Sequence, residues 1–339
     1  MAVSVREVAA AASVSVGTVS NVLNRPDKVA PATVERVLAA IEQLGFVRND
    51  AARQLRAGRS RSIGLVVLDV RNPFFTEVAR GAEDRAAEEG MTILLGNSDE
   101  NGERERAYLD LFEEQRVHGV LISPLADDQT RLQRLRERGT PIVLVDRTSE
   151  NGTLSSVAVD DVVGGELAVS HLLATGRRRI AFIGGPASIR QVADRLEGAR
   201  RAVAETPGAT LEVIDTESLT VLQGRAAGEA IREREASARP DAVFAANDLL
   251  AMGVLQALVM QGAAVRVPDD IALIGYDDID FAAAAVVPLS SIRQPASLIG
   301  YTAVDLLLKE AASRDGSSPE QVVFQPELVV RESTRVSEA

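Results

Sequence analysis

The pattern of apolar and polar positions divides the chain into a short helical segment and a long region of alternating strands and helices. Before residue 48, apolar residues recur every three or four positions, as they do along the buried face of a helix. From Ser62 onward, short runs rich in β-branched residues alternate with segments of helical length. The pattern therefore predicts a small all-α unit followed by an α/β body.

Three helices are predicted in the first segment. Ser4 and Glu7 have the spacing of a capping box that opens the first helix. Ser15 can cap a second helix over residues 16–23, and Pro31 stands at the start of a third. Two short helices joined by a tight turn and closed by a third form a helix-turn-helix unit. A generic three-helix bundle with a solvated polar face fits the same pattern.

The second of these helices carries small and polar residues at and near its exposed face. Small side chains at a helix start allow close approach to the major groove of DNA. Asn21 can pair with adenine there, and Val16 can contact a thymine methyl group. The predicted DNA-contacting residues of this helix are Ser15, Val16, Gly17, Thr18, Ser20 and Asn21.

The body contains nine predicted strands, separated in most cases by segments of helical length. The strands are 63–68, 92–96, 120–123, 142–146, 157–159, 180–183, 211–214, 242–245 and 271–274. The helices include 75–89, 103–115, 164–175, 194–204, 224–236 and 249–261. Regular alternation of this kind implies parallel sheets that are covered on both faces. The strand count and body length favour two doubly wound lobes over one closed barrel.

We therefore predict an α/β fold in which a two-lobed body of two doubly wound parallel sheets follows an all-α helix-turn-helix head. The head is assigned to residues 1–48, a hinge and linker to 49–61, and the body to 62–339. The chain is expected to cross between the lobes near residues 160, 290 and 325.

Polar residues and two aromatic rings follow several of the predicted strands. Ligands of open α/β sheets bind at the carboxyl ends of the strands, so these residues are candidates for a site. Carboxylates, amides and arginines beside aromatic rings suit a sugar, whose hydroxyls pair with polar groups. Taken singly, each has an ordinary structural explanation as a turn or core residue. The candidates are Asn72, Phe74, Phe75, Ser123, Asp146, Arg147, Arg195, Asn247, Asp277 and Gln294.

Charge is distributed unevenly along the chain. The formal net charge is −12, yet residues 1–61 hold nine basic and five acidic residues, a net of +4. The remainder, with 28 basic against 44 acidic residues, has a net of −16. Because attraction to phosphate is local and screened beyond about 10 Å at physiological salt, an acidic body does not prevent a basic head from binding DNA.

Composition and motifs argue against several other classes of protein. The chain has no cysteine and only two histidines, His118 and His171, which excludes disulfides, thiolate metal sites and imidazole-rich metal sites. We find no phosphate-binding GxxxxGK[ST] loop and no GxGxxG after a strand. No catalytic residue, metal or cofactor is therefore expected, although Asp146, Asp277 and Asp278 could form an acid/base pair. A sugar-acting enzyme and a transporter's sugar-binding protein remain the alternatives.

Targeting signals are also absent from the pattern. Residues 1–30 lack the basic start and apolar core of a signal peptide, and no apolar run approaches 18 residues. The pattern is typical of a cytoplasmic protein without a membrane partner.

The stretch between head and body is strongly basic. Arg53, Arg56, Arg59 and Arg61 fall within nine residues, opposed only by Asp50. Charge alone favours a solvated linker. The alternative is a short helix that lies on nucleic acid.

Three sequence stretches resemble the lactose-repressor (LacI/GalR) family of transcription factors: VREVAAAASVSVGTVSNVLN, LAAIEQLGF and ARQLRAGRSRSIGLVV. The resemblance implies that Val16, Gly17 and Asn21 read the major groove, although the family usually has Arg at the position of Asn21. It also implies a hinge helix at residues 50–57, in which Leu55 wedges into the minor groove. The hinge residues implied to contact DNA are Arg53, Leu55 and Arg56.

The body resembles the family's effector domain, which is similar to periplasmic sugar-binding proteins. The strand-end candidates match ribose-contacting positions, except that Ser123 replaces Asn and Leu219 replaces an aromatic wall. Ile189 and Gln191 do not match the Arg and Thr of a purine-sensing relative. The resemblance implies a repressor that binds a near-palindromic double-stranded operator as a homodimer and responds to ribose or a related pentose. Dimer contacts are expected near residues 75–89 and 279–285.

Overall fold

The computed structural model of this 339-residue chain describes residues 3–46, 60–125, 130–149, 151–260, 265–313 and 318–335. The chain forms two compact units, Met1–Ser60 and Arg61–Ala339. The predicted hinge residues Arg53, Leu55 and Arg56 lie outside the described residues.

The described part of the first unit is helical. Its helices are α1 (Val5–Ala11), α2 (Val16–Asn24) and α3 (Pro31–Leu44). The capping box forms: the Glu7 backbone N–H donates to Ser4 Oγ at 3.4 Å, and the Ser4 N–H donates to Glu7 Oε2 at 2.7 Å. Ser15 caps α2 by accepting from the Thr18 N–H at 3.0 Å. Gly45 ends α3 in the left-handed conformation, at φ 62°. The three predicted helices are confirmed.

A small apolar core holds these helices together. Val8, Val19 and Val37 have no exposed surface, and Val22 is almost fully buried beside them. Burying a valine side chain contributes about 1.5 kcal/mol, so each of these residues stabilises the packed arrangement of the three helices.

The second unit is a body of two lobes, each built on one six-stranded sheet. Its strands are β1 (Ser62–Val67), β2 (Thr92–Asn97), β3 (Val120–Ile122), β4 (Ile142–Val145), β5 (Ser155–Val159), β6 (Arg179–Gly184), β7 (Thr210–Asp215), β8 (Ala242–Ala245), β9 (Ala272–Asp277), β10 (Ser290–Arg293), β11 (Gln321–Phe324) and β12 (Glu327–Val329). Its α-helices are α4 (Pro73–Glu88), α5 (Gly102–Glu114), α6 (Thr130–Glu137), α7 (Asp161–Ala174), α8 (Arg190–Ala204), α9 (Val221–Arg232), α10 (Asp248–Val259), α11 (Asp280–Ala283) and α12 (Ala296–Ala312).

The two sheets have related topologies. Lobe 1 has the strand order β11-β5-β4-β3-β1-β2, and lobe 2 has the order β12-β10-β9-β8-β6-β7. The chain crosses between the lobes from β5 to β6, from β10 to β11 and from β11 to β12. The predicted two-lobed α/β architecture is confirmed, and it directs strand ends from both sheets toward one region.

One edge of the lobe 2 sheet departs from the prediction of wholly parallel sheets. There, β12 pairs antiparallel with β10, with Leu328 opposite Ile292. Only Gln325 and Pro326 separate β12 from β11. Because so short a connection cannot carry the chain back along lobe 2, β12 must run against its neighbour. The three strands that the pattern missed, β10 to β12, have four residues or fewer.

Several predicted helix boundaries were also wrong. α8 starts at Arg190, four residues before the predicted 194. α9 ends at Arg232, whereas the pattern extended it to 236, where a separate 3₁₀ turn, Ala236–Ala238, begins. The region near 279–285, where dimer contacts are predicted, contains the short α11. Tertiary contacts set these ends, which periodicity alone locates poorly.

Glycines let three helix pairs approach closely. In the pair α7 and α8, a Cβ at Gly165 would lie 2.0 Å from the Arg195 carbonyl oxygen, and one at Gly198 would lie 2.0 Å from the Val162 carbonyl oxygen. The pairs α4/α12 and α9/α10 show the same reciprocal arrangement at Gly81, Gly300, Gly224 and Gly253. Among the described helices, none combines the length and apolar character that crossing a membrane requires.

Candidate functional site

Side chains from the two lobes meet at the carboxyl ends of the strands. Asn72 of lobe 1 donates from Nδ2 to Asp277 Oδ2 of lobe 2 at 2.9 Å. Gln191 of lobe 2 donates from Nε2 to the backbone oxygen of Asp146 at 2.6 Å and to its Oδ2 at 2.8 Å. Gln294 donates from Nε2 to Asp277 Oδ1 at 2.8 Å. The Asn72–Asp277 and Gln191–Asp146 contacts join lobe 1 to lobe 2 through polar groups, and Gln294 holds the Asp277 carboxylate from its own lobe. We call the following residues the interlobe site: Asn72, Ser123, Asp146, Asp161, Gln191, Arg195, Asp277 and Gln294.

Asn72 is fixed by its place in the chain. It caps α4 by accepting from the Phe74 N–H at 3.0 Å, which leaves its amide nitrogen free to reach Asp277. The rings of Phe74 and Phe75 pack edge to face, with centroids 5.0 Å apart and an interplanar angle of 70°. Both rings are buried in the main core, so the start of α4 is rigid.

Arg195 is a buried cation at the centre of lobe 2. Its Nε donates to Asp161 Oδ1 at 2.8 Å, and its Nη1 donates to the Ala246 carbonyl oxygen at 2.7 Å. The guanidinium lies 3.7 Å from the ring centroid of Tyr276, and Nη1 lies 3.9 Å from Asp277 Oδ1. Each contact fixes the guanidinium plane, because Arg presents its donors in a rigid fork.

Three buried carboxyl groups surround this one guanidinium. Burial raises the pKa of Asp146, Asp161 and Asp277 above its usual range. Repulsion from Asp161 and Asp277 raises the pKa of Asp146 further, whereas Arg195 and the Gln191 hydrogen bond lower it. Burial would lower the pKa of Arg195, but its carboxyl neighbours, Asp161 foremost, raise it on balance. This excess of carboxyl groups suits a neutral ligand that donates hydrogen bonds.

Several buried polar atoms of this region have no hydrogen-bond partner among the described residues: Ser123 Oγ, Asp146 Oδ1 and Gln294 Oε1. A buried polar atom left unsatisfied costs about 1–3 kcal/mol, so native proteins leave few of them. These three predicted site residues therefore have hydrogen-bonding capacity to offer a ligand.

The backbone is strained where two of the site carboxylates are attached. Asp146 has φ 58° and Asp277 has φ 105°. A residue other than glycine in such a conformation costs roughly 1–3 kcal/mol, and such strain clusters at ligand-binding positions.

Asn247 and Leu219 meet at another strand end in lobe 2. Asn247 caps α10 by accepting from the Leu250 N–H at 2.9 Å, and its Nδ2 donates to the Leu219 carbonyl oxygen at 3.2 Å. The Leu219 side chain packs partly against the core. The Leu219 backbone therefore helps to orient the Asn247 side chain.

Arg147 lies beside Asp146 in the chain but makes different contacts. It is buried, and its Nη1 donates to the Pro124 carbonyl oxygen at 3.3 Å. Burial raises the pKa of Glu105, and the nearby charge of Arg147 offsets part of this rise. Arg147 therefore belongs to the edge of the region, in lobe 1.

Sequence reasoning missed Asp161 and Gln191 as members of this cluster. Asp161 follows the α7 cap Asp160 directly, and two adjacent carboxylates after a strand are a signal that could have found it. Gln191 lies in the first turn of α8, and because the pattern predicts a helix only from Asp194, Gln191 falls before the predicted start.

In the first unit, the structure places the predicted DNA-contacting residues around the start of α2. Val16, Gly17 and Asn21 are exposed. Ser15 is exposed as well, and its Oγ lies 2.9 Å from Thr18 Oγ1. The Ser20 carbonyl oxygen accepts from Asn24 Nδ2 at 2.8 Å. Four of the six predicted residues are therefore exposed, and Ser15, Thr18 and Ser20 also make hydrogen bonds within or next to the helix.

Two family profiles match the chain. Residues 4–49 match the bacterial regulatory proteins of the lacI family, and residues 169–334 match the periplasmic binding protein-like domain. The HTH-type transcriptional repressor PurR of Photobacterium profundum is 34% identical over 337 residues, which cover 98% of each chain. The ribose operon repressor of Bacillus subtilis is 37% identical over 305 residues, which cover 90% of each chain.

Solved structures with the same fold include regulators with ligands bound. The lac repressor dimer bound to operator and the anti-inducer ONPF superposes with a TM-score of 0.85, at 27% identity, over 99% of this chain and 100% of that one. A LacI family transcriptional regulator from Enterococcus faecium with bound ribose gives a TM-score of 0.72, at 29% identity, over 80% of this chain and 98% of that one.

Proposed function

Because this chain belongs to the lacI family of bacterial regulatory proteins, we propose that the small molecule it senses is ribose or a related pentose, bound in the interlobe site. Membership makes the chain a DNA-binding transcriptional repressor that is regulated by a small-molecule effector. We infer the identity of that effector from the chemistry of the interlobe site.

The main observation in favour of this proposal is that the interlobe site contains buried polar atoms that can still form hydrogen bonds. Ser123 Oγ, Asp146 Oδ1 and Gln294 Oε1 are buried and lack partners among the described residues. A sugar hydroxyl donates one hydrogen bond and accepts others, so several hydroxyls on one ring can serve these atoms together. The rigid ring pair of Phe74 and Phe75 stands beside Asn72, where an apolar sugar face would approach.

Charge supports a neutral ligand over an anionic one. Three buried carboxyl groups, those of Asp146, Asp161 and Asp277, outnumber the two buried guanidinium groups of Arg195 and Arg147, and burial raises the pKa of each carboxyl. A phosphate group would add negative charge to a cluster that already has too little positive charge to balance it. A sugar without phosphate adds none.

We infer that the effector acts by exchanging contacts between the lobes. The hydrogen bonds from Asn72 to Asp277 and from Gln191 to Asp146 link the lobes directly. A sugar that binds these residues must replace or rearrange the links, and it shifts the lobe arrangement by its difference in affinity for the two arrangements. If the lobe arrangement that binds sugar more tightly has the lower operator affinity, sugar releases the operator. If it has the higher operator affinity, sugar promotes operator binding.

On the DNA side, we propose that α2 reads the major groove through Val16, Gly17 and Asn21, with Ser15, Thr18 and Ser20 supporting. The head is assigned to residues 1–48 and the hinge to 49–61, where Arg53 and Arg56 would hold phosphates and Leu55 would enter the minor groove. A homodimer would present two such heads to a near-palindromic operator, because a twofold protein matches a twofold site.

A thermal-shift screen tests the choice of effector. Purified full-length protein is heated with pentoses, hexoses, nucleosides and purines in turn. We expect D-ribose or a related pentose to stabilise it, by about 2.7 kcal/mol when present at 100 times its dissociation constant. Stabilisation by purines alone would replace the sugar with a purine effector, an outcome that the PurR relatives make important to include.

The enzymatic alternative needs its own measurement. The protein is incubated with the sugar that it binds, and the sugar is quantified by chromatography over several hours. We expect it to be recovered unchanged. Protein-dependent consumption would show that the protein is an enzyme acting on the sugar and would overturn the proposed role as a sensor.

A further inference from the structure

The segment Asp277-Asp278-Ile279, which joins β9 to α11, has a backbone conformation that L-residues rarely adopt. Asp277 has φ 105° and Asp278 has φ 55°, at consecutive positions. Strain of this kind persists only where the surrounding structure over-determines it. The segment matters to the interlobe site because Asn72 and Gln294 both donate to the Asp277 carboxylate.

The buried hydroxyl of Ser291 and the buried carboxyl group of Asp248 hold the backbone of this segment through hydrogen bonds. The Asp278 N–H donates to Ser291 Oγ at 3.0 Å, and Ser291 Oγ donates to Asp248 Oδ1 at 2.7 Å. The Ile279 N–H donates to Asp248 Oδ2 at 2.9 Å. Two consecutive backbone amides of the strained segment are therefore satisfied by side chains, and neither Ser291 nor Asp248 has exposed surface.

The surroundings of Asp248 show that its position is costly to maintain. Burial raises the pKa of Asp248 well above its usual range, and the nearby Asp277 raises it further. Backbone space is also reserved for it, since a Cβ at Gly275 would lie 2.1 Å from Asp248 Oδ1. A carboxyl group kept in such a place at electrostatic cost contributes through what it holds, namely Ser291 and the Ile279 N–H.

We propose that Ser291 and Asp248 are positioning residues for the effector: they fix the strained segment so that the Asp277 carboxylate faces the sugar. Their action passes through the backbone of Asp278 and Ile279 to Asp277. The inference rests on the proposed sugar site, since the affinity that it concerns is affinity for the effector.

A second set of contacts holds Asp278 through its side chain. The Asp278 carboxylate pairs with Arg293 at 2.8 Å and with Arg331 at 2.6 Å. These ion pairs anchor the Asp278 side chain and leave the backbone amides of the segment to Ser291 and Asp248. Replacing Ser291 should therefore loosen the segment without unfolding lobe 2.

The test compares Ser291→Ala with Ser333→Ala in the full-length protein. Ser333 is an unusually close match: it is fully buried in the same lobe, donates to the Leu273 carbonyl oxygen at 2.6 Å and accepts from the Ser290 N–H at 2.8 Å. Each variant thus loses one buried hydroxyl with two hydrogen bonds. Only Ser291 touches the Asp277-Asp278-Ile279 segment.

Two readouts are measured on wild type and both variants. Hydrogen–deuterium exchange with mass spectrometry reports protection of the amides in peptides spanning residues 276–280. Calorimetric titration reports the dissociation constant for D-ribose, or for whichever pentose, hexose, nucleoside or purine stabilises the wild type. We expect Ser291→Ala to speed exchange in that peptide and to weaken binding about tenfold, as the loss of one buried hydrogen bond to a positioned group would. We expect Ser333→Ala to leave both readouts within twofold of wild type.

Unchanged exchange in Ser291→Ala, or faster exchange with unchanged affinity, would overturn the proposal, as would equal loss of affinity in both variants.

If Ser291→Ala does not fold, Asp248→Asn carries the same comparison, because it keeps the size of the side chain and one acceptor while removing the carboxylate. The same selective loss supports the proposal, and an unchanged dissociation constant contradicts it. A wild type that binds none of these compounds would refute the proposed effector class, whereas the exchange arm would still decide whether Ser291 holds the segment.

Discussion

At the scale of single residues, the interlobe site is defined by the balance between buried acids and one buried base. Asp146, Asp161 and Asp277 share Arg195, and burial holds the pKa of each acid above its usual range. Hydroxyl donors satisfy carboxylate oxygens without adding charge, which is why we favour a neutral sugar. The same balance makes Asp277 central, since its two oxygens accept from Asn72 and Gln294.

Replacing Asp277 with alanine should abolish the effector response. The substitution leaves the amides of Asn72 and Gln294 without their acceptor and removes a ligand for the sugar. We expect sugar affinity to fall about 100-fold, corresponding to roughly 2.7 kcal/mol, while the variant still binds operator in the absence of sugar. Calorimetry and gel shift measure the two. Asp280→Ala, at an exposed acid on α11, is the control; a normal sugar response in Asp277→Ala would contradict this role.

Glu100 should make stability depend on pH near neutrality. Burial, and then repulsion from Asp69, raises the pKa of Glu100 to about 7, against 4.5 for an ordinary glutamate. Above pH 7 the folded protein carries the cost of an ionised, partly buried carboxylate. As the pH falls from 8 toward 5, the folded state takes up a proton that the unfolded chain does not, so the free energy of unfolding should rise.

The Glu100→Gln variant isolates this contribution, because glutamine does not titrate. Urea unfolding is followed at pH 8, 7, 6 and 5 for both proteins. The difference in unfolding free energy, wild type minus variant, should increase steadily as the pH is lowered. A difference that stays constant across this range would assign the pH dependence to other groups.

At the scale of elements, the sequence predicts best where local chemistry sets a boundary. The capping box of Ser4 and Glu7, the Ser15 cap and Pro31 place the starts of all three head helices. Prediction fails where tertiary contacts decide, as with the start of α8 and the antiparallel β12. The misplaced start of α8 also explains why Gln191 was missed, because its role depends on contact with Asp146 across the lobes. Strand-end polarity identified Asn72, Asp146 and Asp277, but periodicity carries no information about such contacts between distant segments.

Close packing of α7 against α8 should be sensitive to a single methyl group. These helices carry Asp161 and Arg195, and a Cβ at Gly165 would lie 2.0 Å from the Arg195 carbonyl oxygen. We expect Gly165→Ala to force the helices apart and to lower the free energy of unfolding by about 1–3 kcal/mol. Urea titration measures this. In Gly102→Ala the added Cβ meets nothing within 4 Å, so that control should unfold like wild type; equal midpoints for both variants would refute the packing argument.

The hinge prediction concerns Leu55, which lies outside the described residues and is argued from sequence alone. A short basic helix has little apolar surface for an exposed leucine to bury against, but a minor-groove wedge gives the side chain a partner. Leu55→Ala should weaken operator binding by about tenfold or more and leave sugar affinity unchanged. Fluorescence anisotropy on operator and random duplexes separates specific from non-specific binding. Unchanged operator affinity would mean that residues 49–61 act only as a linker.

At the scale of the whole molecule, we propose that a DNA-reading head is coupled to a sugar-sensing body. The chain belongs to a family of repressors regulated by small molecules, and the interlobe hydrogen bonds give the effector a place at which to act on the lobes. Coupling between the two sites must be reciprocal: the factor by which sugar changes operator affinity equals the factor by which operator changes sugar affinity.

The most direct test of this coupling is the operator dissociation constant measured against sugar concentration. A duplex enriched by the full-length protein from a random pool, which we expect to be near-palindromic, is labelled and titrated by fluorescence anisotropy at a series of D-ribose concentrations. We predict that the operator dissociation constant changes in one direction and saturates with increasing sugar. Its half-maximal shift should fall in the concentration range of the sugar dissociation constants for free and operator-bound protein. A sugar that binds the protein in calorimetry yet leaves the operator dissociation constant unchanged at every concentration would contradict it.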